Sequence, residues 1–319
     1  MFKVMIRDNM SLEAKKRLES TGKIDVVVDN SKDTGNAEVL SGIIGEFHGI
    51  AVRSGTKISD RVLKNAKNLK VIGRAGVGVD NIDVQAATKR GIIVMNAPGG
   101  NTITTAEHTI SLLLSLSRNI PQGTASLRAG EWKKKKLTGI EITGKTLGIV
   151  GLGQIGRVVA ERAQGLKMKV IASDPFISKA SAGELNVKLV SFDELLAQSD
   201  FITLHVPRLK ETAGMINTAS IKKMKPGVRI INCSRGEIVN LDDLNAAVEK
   251  GHIAGAALDV FPVEPPDPSL PILKNPGIIF TPHLGASTGE AQDKVAIMIA
   301  NQIADYLIKD IVTNAVNFP

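Results

Sequence analysis

Apolar residues fall in short runs separated by longer stretches with helical periodicity. The first runs are Phe2 to Ile6, Ile24 to Val28, Gly49 to Val52, Leu69 to Ile72 and Ile92 to Val94. Strands of three to five mostly apolar residues alternating with helices predict a parallel sheet with helices on both faces, since each crossover lays a helix on the sheet. After Pro98-Gly-Gly the pattern changes to a long apolar helix over 101–118, read as opening with a capping box of Thr104 and Glu107. A second series of strands follows at Leu147 to Val150, Lys169 to Ala172, Phe201 to Leu204, Arg229 to Asn232, Gly255 to Leu258 and Ile278 to Thr281. Ser287-Thr-Gly-Glu290 reads as a further capping box, opening a helix with apolar Ala291, Val295, Met298, Ile299 and Leu307.

Two series of strands predict two doubly wound α/β domains, and 319 residues exceed what one core usually holds. If the last helix returns to the first domain, the chain divides into 1–97 with 288–319, and 98–287 inserted between them. Two chain crossings would then border a cleft.

The formal net charge is +8, yet aromatic residues are 3% of the chain and the basic residues are scattered, which argues against a nucleic-acid partner. The one dense basic cluster is Lys133 to Lys136, a solvated face or an attractor of anions. Cys233 is the only cysteine, so disulfides and cysteine-rich zinc sites are excluded, and no metal is expected. Met1 to Arg7 is too short and charged for a signal peptide, and no apolar run approaches the roughly 18 residues of a membrane span. A cytoplasmic protein without membrane attachment is the expectation.

Gly151-Leu-Gly-Gln-Ile-Gly156 follows an apolar strand and precedes a helical run. Glycine-rich turns are common, but strand before and helix after are what a dinucleotide site requires. Gly151 serves the tight turn, Gly153 the approach of a pyrophosphate to the backbone, and Gly156 close helix packing. Asp174, 18 residues after Gly156, ends the next strand, where a carboxylate binds the ribose hydroxyls and repels a 2'-phosphate. NAD is favoured, with Lys179 the feature that keeps NADP open.

Arg235, Glu264 and His283 stand at the ends of later strands, where open sheets bind ligands. Hydride transfer from a secondary alcohol needs a base for the hydroxyl proton and an anchor for the neighbouring carboxylate. His283 suits the first task, Glu264 would hold one of its ring nitrogens, and Arg235 would grip the acid with its planar fork. Each has a bland alternative: a helix cap for His283, an exposed loop carboxylate for Glu264, an ion pair with Glu237 for Arg235.

These blocks resemble the D-2-hydroxyacid dehydrogenases along the whole chain. The most specific are Gly73 to Asp83, Asn96-Ala-Pro, Gly148 to Gly156, Asn232 to Glu237, Ala257 to Phe261 and Pro282 to Ser287. The resemblance implies a Rossmann NAD-binding domain inserted in a flavodoxin-like substrate domain, with Arg235, Glu264 and His283 catalytic. It also implies cofactor contacts by Gly151, Gly153, Gln154, Ile155, Gly156, Asp174, Val206, Pro207, Cys233, Ser234, Arg235, Asp259, His283, Gly285 and Ala286. Asp259 would meet the nicotinamide amide or its ribose, Cys233 would contribute backbone and packing, and His108 and His205 read as structural or cofactor-flanking. Val77 departs from relatives that carry threonine there, which weakens one cofactor contact and not the reaction.

For the substrate, Arg53 and Arg74 end strands of the first domain and would face Arg235 across the cleft; Ser54, Gly76 and Asn101 join them by resemblance, with Arg235 and His283 completing the set. Three arginines fit a phosphorylated 2-hydroxy acid better than lactate. Three readings stand: oxidation of 3-phospho-D-glycerate, turnover of another acid such as glyoxylate, hydroxypyruvate or lactate, and a non-enzymatic NAD sensor. Trp132 to Lys136 matches a family segment at a dimer interface, so the resemblance implies a homodimer through the NAD-binding domain. Long forms of the family continue beyond a segment like Asn314 to Pro319 into a serine-binding region. The expectation here is a chain without that module, either a short form or a catalytic core.

Overall fold

The fold is seen in a computed structural model that describes residues 1–30 and 37–317. The chain forms two compact units, one of Met1–Asn101 with Ala286–Pro319 and one of Thr102–Gly285. Phe318 and Pro319, the end of the segment matched to the family's long forms, lie outside the described residues.

The first unit holds β1 (Phe2–Ile6), β2 (Ile24–Val28), β3 (Gly49–Val52), β4 (Val71–Arg74) and β5 (Ile93–Asn96), all parallel, in the order β2-β1-β3-β4-β5. This is the flavodoxin-like order. Alternate side chains of β1 enter opposite cores: Val4 and Ile6 pack on one face with Val295, Ile299 and Ile303, while Met5 packs on the other with Ile44, Ile50 and Ile72. Burial on both faces is why β3 reads as Gly-Ile-Ala-Val with no polar position. The helix Gly289–Lys309 thus belongs to this unit's core although it comes last in the chain. The backbone amide of Val316 donates to the carbonyl of Val94 at 2.8 Å, laying the end of the chain along the edge of β5.

The second unit holds β6 (Thr146–Val150), β7 (Lys169–Ser173), β8 (Lys188–Leu189), β9 (Phe201–Leu204), β10 (Val228–Asn232), β11 (Ile253–Leu258) and β12 (Ile278–Phe280). Their order is β12-β11-β10-β9-β6-β7-β8, again all parallel. The order reverses between β6 and β9, as in a Rossmann sheet, so the loops after β6 and β9 flank the crevice where such sheets bind ligands. Among the described residues no helix is long and apolar enough to cross a membrane.

Several local expectations need correction. The strand expected at Leu69 to Ile72 runs instead from Val71 to Arg74, because the Leu69 amide closes a turn onto the Ala66 carbonyl. β8 carried no sequence signal: two residues pair with β7 at the sheet edge, too few to show a period. Thr104 and Glu107 lie inside the helix Thr102–Arg118 rather than at its cap. At the last helix the cap is Thr288, one residue later than expected, whose hydroxyl accepts the Ala291 amide at 3.2 Å.

Candidate active site

The glycine-rich turn joins β6 to the helix Gln154–Gly165. Gly151 has φ +92°, and a Cβ there would stand 2.6 Å from the carbonyl oxygen of His205 on the neighbouring loop. A Cβ on Gly156 would stand 2.2 Å from the Gly151 carbonyl oxygen, so the helix seats against the turn only with glycine present. Gly153 differs: nothing lies within 4 Å of its Cβ position. It is also the N-cap and supplies no capping side chain. The first amides of the helix, with its positive dipole end, are left for an anion.

Asp174 lies at the end of β7, half-buried. One carboxylate oxygen accepts the Leu152 amide at 2.8 Å and the other the Phe176 amide at 2.8 Å. The acid is thereby tied to the glycine-rich turn itself, with lone pairs to spare for hydroxyl donors. Turn, helix end and carboxylate together fit the pyrophosphate and ribose of a dinucleotide.

The other residues come from the carboxyl ends of β9 to β12, on the same edge of the sheet. Val206 and Pro207 follow β9. After β10, Asn232 shapes the backbone: its Oδ1 accepts the Ser234 amide at 3.0 Å and the Ser234 hydroxyl at 2.8 Å, while its Nδ2 donates to the Arg235 carbonyl at 2.9 Å. Cys233 is buried in the core of this unit, and Arg235 is part-buried. Glu237 is held by Arg208 at 3.0 Å. Burial pushes the Cys233 thiol up to about 12, against a smaller opposing hydrogen bond with Thr109.

Glu264 and His283 meet directly. Nδ1 of His283 lies 2.7 Å from Oε2 of Glu264, and Oε1 accepts the Phe261 amide at 3.0 Å. Burial raises the Glu264 carboxyl, but the bonds from His283 and the Phe261 amide outweigh it and hold the group below its ordinary value. An ionised carboxylate only accepts, so Nδ1 carries a proton, and whenever the ring is neutral Nε2 is the nitrogen with the lone pair. That is the arrangement of a base. The two side chains remain partly open to solvent, at 45% and 37% exposure, while held to each other.

His283 has φ +54°, a left-handed conformation that costs a side-chain-bearing residue about 1–2 kcal/mol. Asp259 over-determines it. Fully buried at the end of β11, Asp259 accepts the Thr281 hydroxyl at 2.6 Å, the Leu284 amide at 2.7 Å and the Gly285 amide at 2.8 Å, with His108 Nε2 at 3.2 Å. Its backbone carbonyl takes the His283 amide at 2.8 Å. Burial would raise this carboxyl, yet the bonds from His108, Thr281 and the Leu284 amide leave it below its ordinary value. What Asp259 does in this structure is hold the turn that carries His283.

Sequence reasoning missed Thr105 and Thr281 and gave His108 no definite part. The one signal, for Thr105 and His108, was two polar residues a turn apart on the helix Thr102–Arg118; Thr281, just after β12, carried none. His205 stands beside the glycine turn; its Nε2 meets the Thr203 hydroxyl at 2.9 Å, and burial lowers its pKa to about 4, so it stays neutral.

In the first unit, Asp8 pins the loop after β3: its carboxylate accepts the Arg53 amide at 2.7 Å, the Thr56 amide at 3.1 Å and the Thr56 hydroxyl at 2.6 Å. Ser54 lies within that loop. Arg74 ends β4 and folds its guanidinium over Gly76, and Asn101 is the last residue before the second unit. In the second unit Trp132 is 80% exposed, and Lys133 to Lys136 are exposed around a short 3-10 turn.

Residues 110–285 match the family model described as D-isomer specific 2-hydroxyacid dehydrogenase, NAD binding domain. A D-3-phosphoglycerate dehydrogenase of Archaeoglobus fulgidus is 49% identical over 99% of this chain, which spans 59% of that protein. One from Bacillus subtilis is 44% identical over 100% of this chain, again spanning 59% of the relative. The chain therefore covers less than two thirds of the length of these relatives. Among solved structures, a glyoxylate reductase from Paecilomyes thermophila superposes with a TM-score of 0.86 at 30% identity, over 99% of this chain and 98% of that one.

Proposed function

Because the chain belongs to the D-isomer specific 2-hydroxyacid dehydrogenases, we propose that it oxidises 3-phospho-D-glycerate at C2 to 3-phosphohydroxypyruvate, with NAD as the partner substrate, as the first step of serine synthesis. The observation that carries the reaction type is the 2.7 Å contact of Glu264 with His283 at the carboxyl edge of a dinucleotide-type sheet. NAD, held by the glycine turn and Asp174, supplies the hydride acceptor. His283 Nε2 takes the proton of the C2 hydroxyl. Glu264, ionised, keeps the ring in the correct tautomer and favours the imidazolium that results. Arg235 binds the carboxylate and the C2 oxygen, and in the reverse direction polarises the carbonyl while His283 returns the proton.

The choice of acid rests on the 49% identity with a D-3-phosphoglycerate dehydrogenase and on the arginines of the first unit. Arg53 and Arg74 are proposed as cations for the phosphate, with Ser54, Gly76 and Asn101 as further substrate contacts; motif resemblance supports these roles. The likeness to a glyoxylate reductase keeps an unphosphorylated acid as the second reading. The same proposal makes the protein a cytoplasmic homodimer. Ile120, Leu127 and Trp132, exposed in one segment of the NAD unit, support a protein partner there.

One assay decides: follow NADH formation from 3-phosphoglycerate at alkaline pH, and NADH oxidation with glyoxylate, hydroxypyruvate and pyruvate. Turnover of the phosphorylated acid above the others is expected. A preference for an unphosphorylated acid selects the second reading, and no turnover with any acid sinks both. Sedimentation that shows a monomer at assay concentrations removes the dimer.

A further inference from the structure

The helix Thr102–Arg118 reaches the turn that carries His283 through two side chains one helical turn apart. Thr105 donates its hydroxyl proton to the Gly285 carbonyl at 2.9 Å. His108 Nε2 stands 3.2 Å from Asp259 Oδ1 and 3.2 Å from Thr281 Oγ1. Thr281 directs its own proton to Asp259 at 2.6 Å, and an ionised carboxylate has none to give. His108 Nε2 therefore faces two acceptors and must carry the hydrogen, which it shares between them. Thr281 begins the turn and Gly285 ends it; the amides of Leu284 and Gly285 hang on the same carboxylate.

A histidine filling space in a core would need no such donor. Here an apolar side chain of equal size would keep the packing but take a donor from a carboxylate with no solvent exposure. The imidazole acts on the one part of the backbone where His283 is held left-handed.

We infer that His108 is a positioning residue: its Nε2–H clamps Asp259 to Thr281 and so fixes the turn in which His283 presents its ring to Glu264. This rests on the reading of His283 as the base. Loss of the clamp should loosen the ring while leaving the glycine-rich turn and Asp174, at the other end of the nucleotide site, as they are, so turnover should suffer more than cofactor affinity.

The test compares His108→Leu, His108→Gln and His283→Ala. In His108→Leu, kcat should fall at least about 10-fold while the NADH dissociation constant, read by fluorescence, stays within about 3-fold. Nitrogen NMR of the cofactor-free protein should show the His283 ring as a single Nδ1–H tautomer in the parent and as a mixture in the leucine variant. Glutamine, whose amide nitrogen can stand near the place of Nε2, should restore most of both losses. Unchanged turnover or an unchanged tautomer in the leucine variant overturns the inference, as does failure of glutamine to restore either. Should His108→Leu not fold, Thr281→Val removes the hydroxyl that accepts from His108 and donates to Asp259 without altering the helix, and the same spectral change is required of it. Turnover retained by His283→Ala defeats the catalytic reading alone, because the ring signals of His283 in the His108 variants still decide whether His108 positions it.

Discussion

Glu264 and His283 lie 19 residues apart in the chain and 2.7 Å apart in space, and the second oxygen of Glu264 is held by the Phe261 amide. The carboxylate is thus fixed before it orients the ring. Glu264→Gln keeps the shape, removes the charge and no longer enforces one tautomer. Its kcat/KM should drop about 10²-fold with NADH affinity nearly unchanged. An activity equal to the parent's would show that the pair does not serve the reaction.

Gly153 and Gly156 look alike in the motif and should behave oppositely on substitution. Gly156→Ala collides with the Gly151 carbonyl oxygen at 2.2 Å, and should cost about 1–3 kcal/mol of stability. Gly153→Ala places its methyl in open space, so the melting temperature should hold while NADH titration weakens sharply. Equal affinity in the Gly153 variant would place the pyrophosphate elsewhere.

Asp174 takes the Leu152 and Phe176 amides, so the proposed ribose contact would depend on the shape of this loop. Asp174→Asn should raise the KM for NAD by about 10-fold or more and shrink the preference over NADP. The ratio of kcat/KM for the two cofactors measures this. A ratio that does not move would shift the ribose contact to another residue.

Burial, with the charge of Asp259 adding to it, keeps the Cys233 thiol protonated at neutral pH. Only the thiolate attacks alkylating reagents. Native protein should therefore label far more slowly than urea-unfolded protein, and Cys233→Ala should retain turnover. Rapid labelling of the native protein, with loss of activity, would contradict both statements.

Asp259 gives the fold a defined acid sensitivity. Its carboxyl lies below the ordinary 3.8 in the folded protein, so the unfolded chain takes up the proton first as the pH falls. The stabilisation is complete above 3.8 and is lost as the pH drops through the folded value. At neutral pH, Asp259→Asn presents an amide to donors that need an acceptor, at a cost of about 2–3 kcal/mol. Urea unfolding should show that deficit shrinking in acid; a constant deficit at every pH would mean that the charge is irrelevant.

Most strands were legible in the sequence because burial on both faces leaves continuous apolar runs, as in Phe201 to Leu204. The glycine-rich turn was legible because the motif lies between a strand and a helix. The caps were not: Thr104 and Glu107 match a capping pattern whose local energy is outweighed by the helix beginning at Thr102. Nor was the set of His108, Asp259 and Thr281, which joins residues 151 and 22 positions apart through tertiary contacts that no local period reports. Asp259 drew notice only for its place in a family motif, while its work of holding the His283 turn became visible with its donors around it.

The helix Gly289–Lys309 supplies Val295, Ile299 and Ile303 to a core whose strands were made some two hundred residues earlier. On a ribosome the two units therefore reverse their order in the chain. Thr102–Gly285 is contiguous and holds all its strands once Gly285 emerges. Until the helix Gly289–Lys309 is synthesised, one face of the first unit's sheet is covered only by the helix Leu12–Glu19, and its remaining apolar surface is exposed to chaperones and proteases throughout that interval.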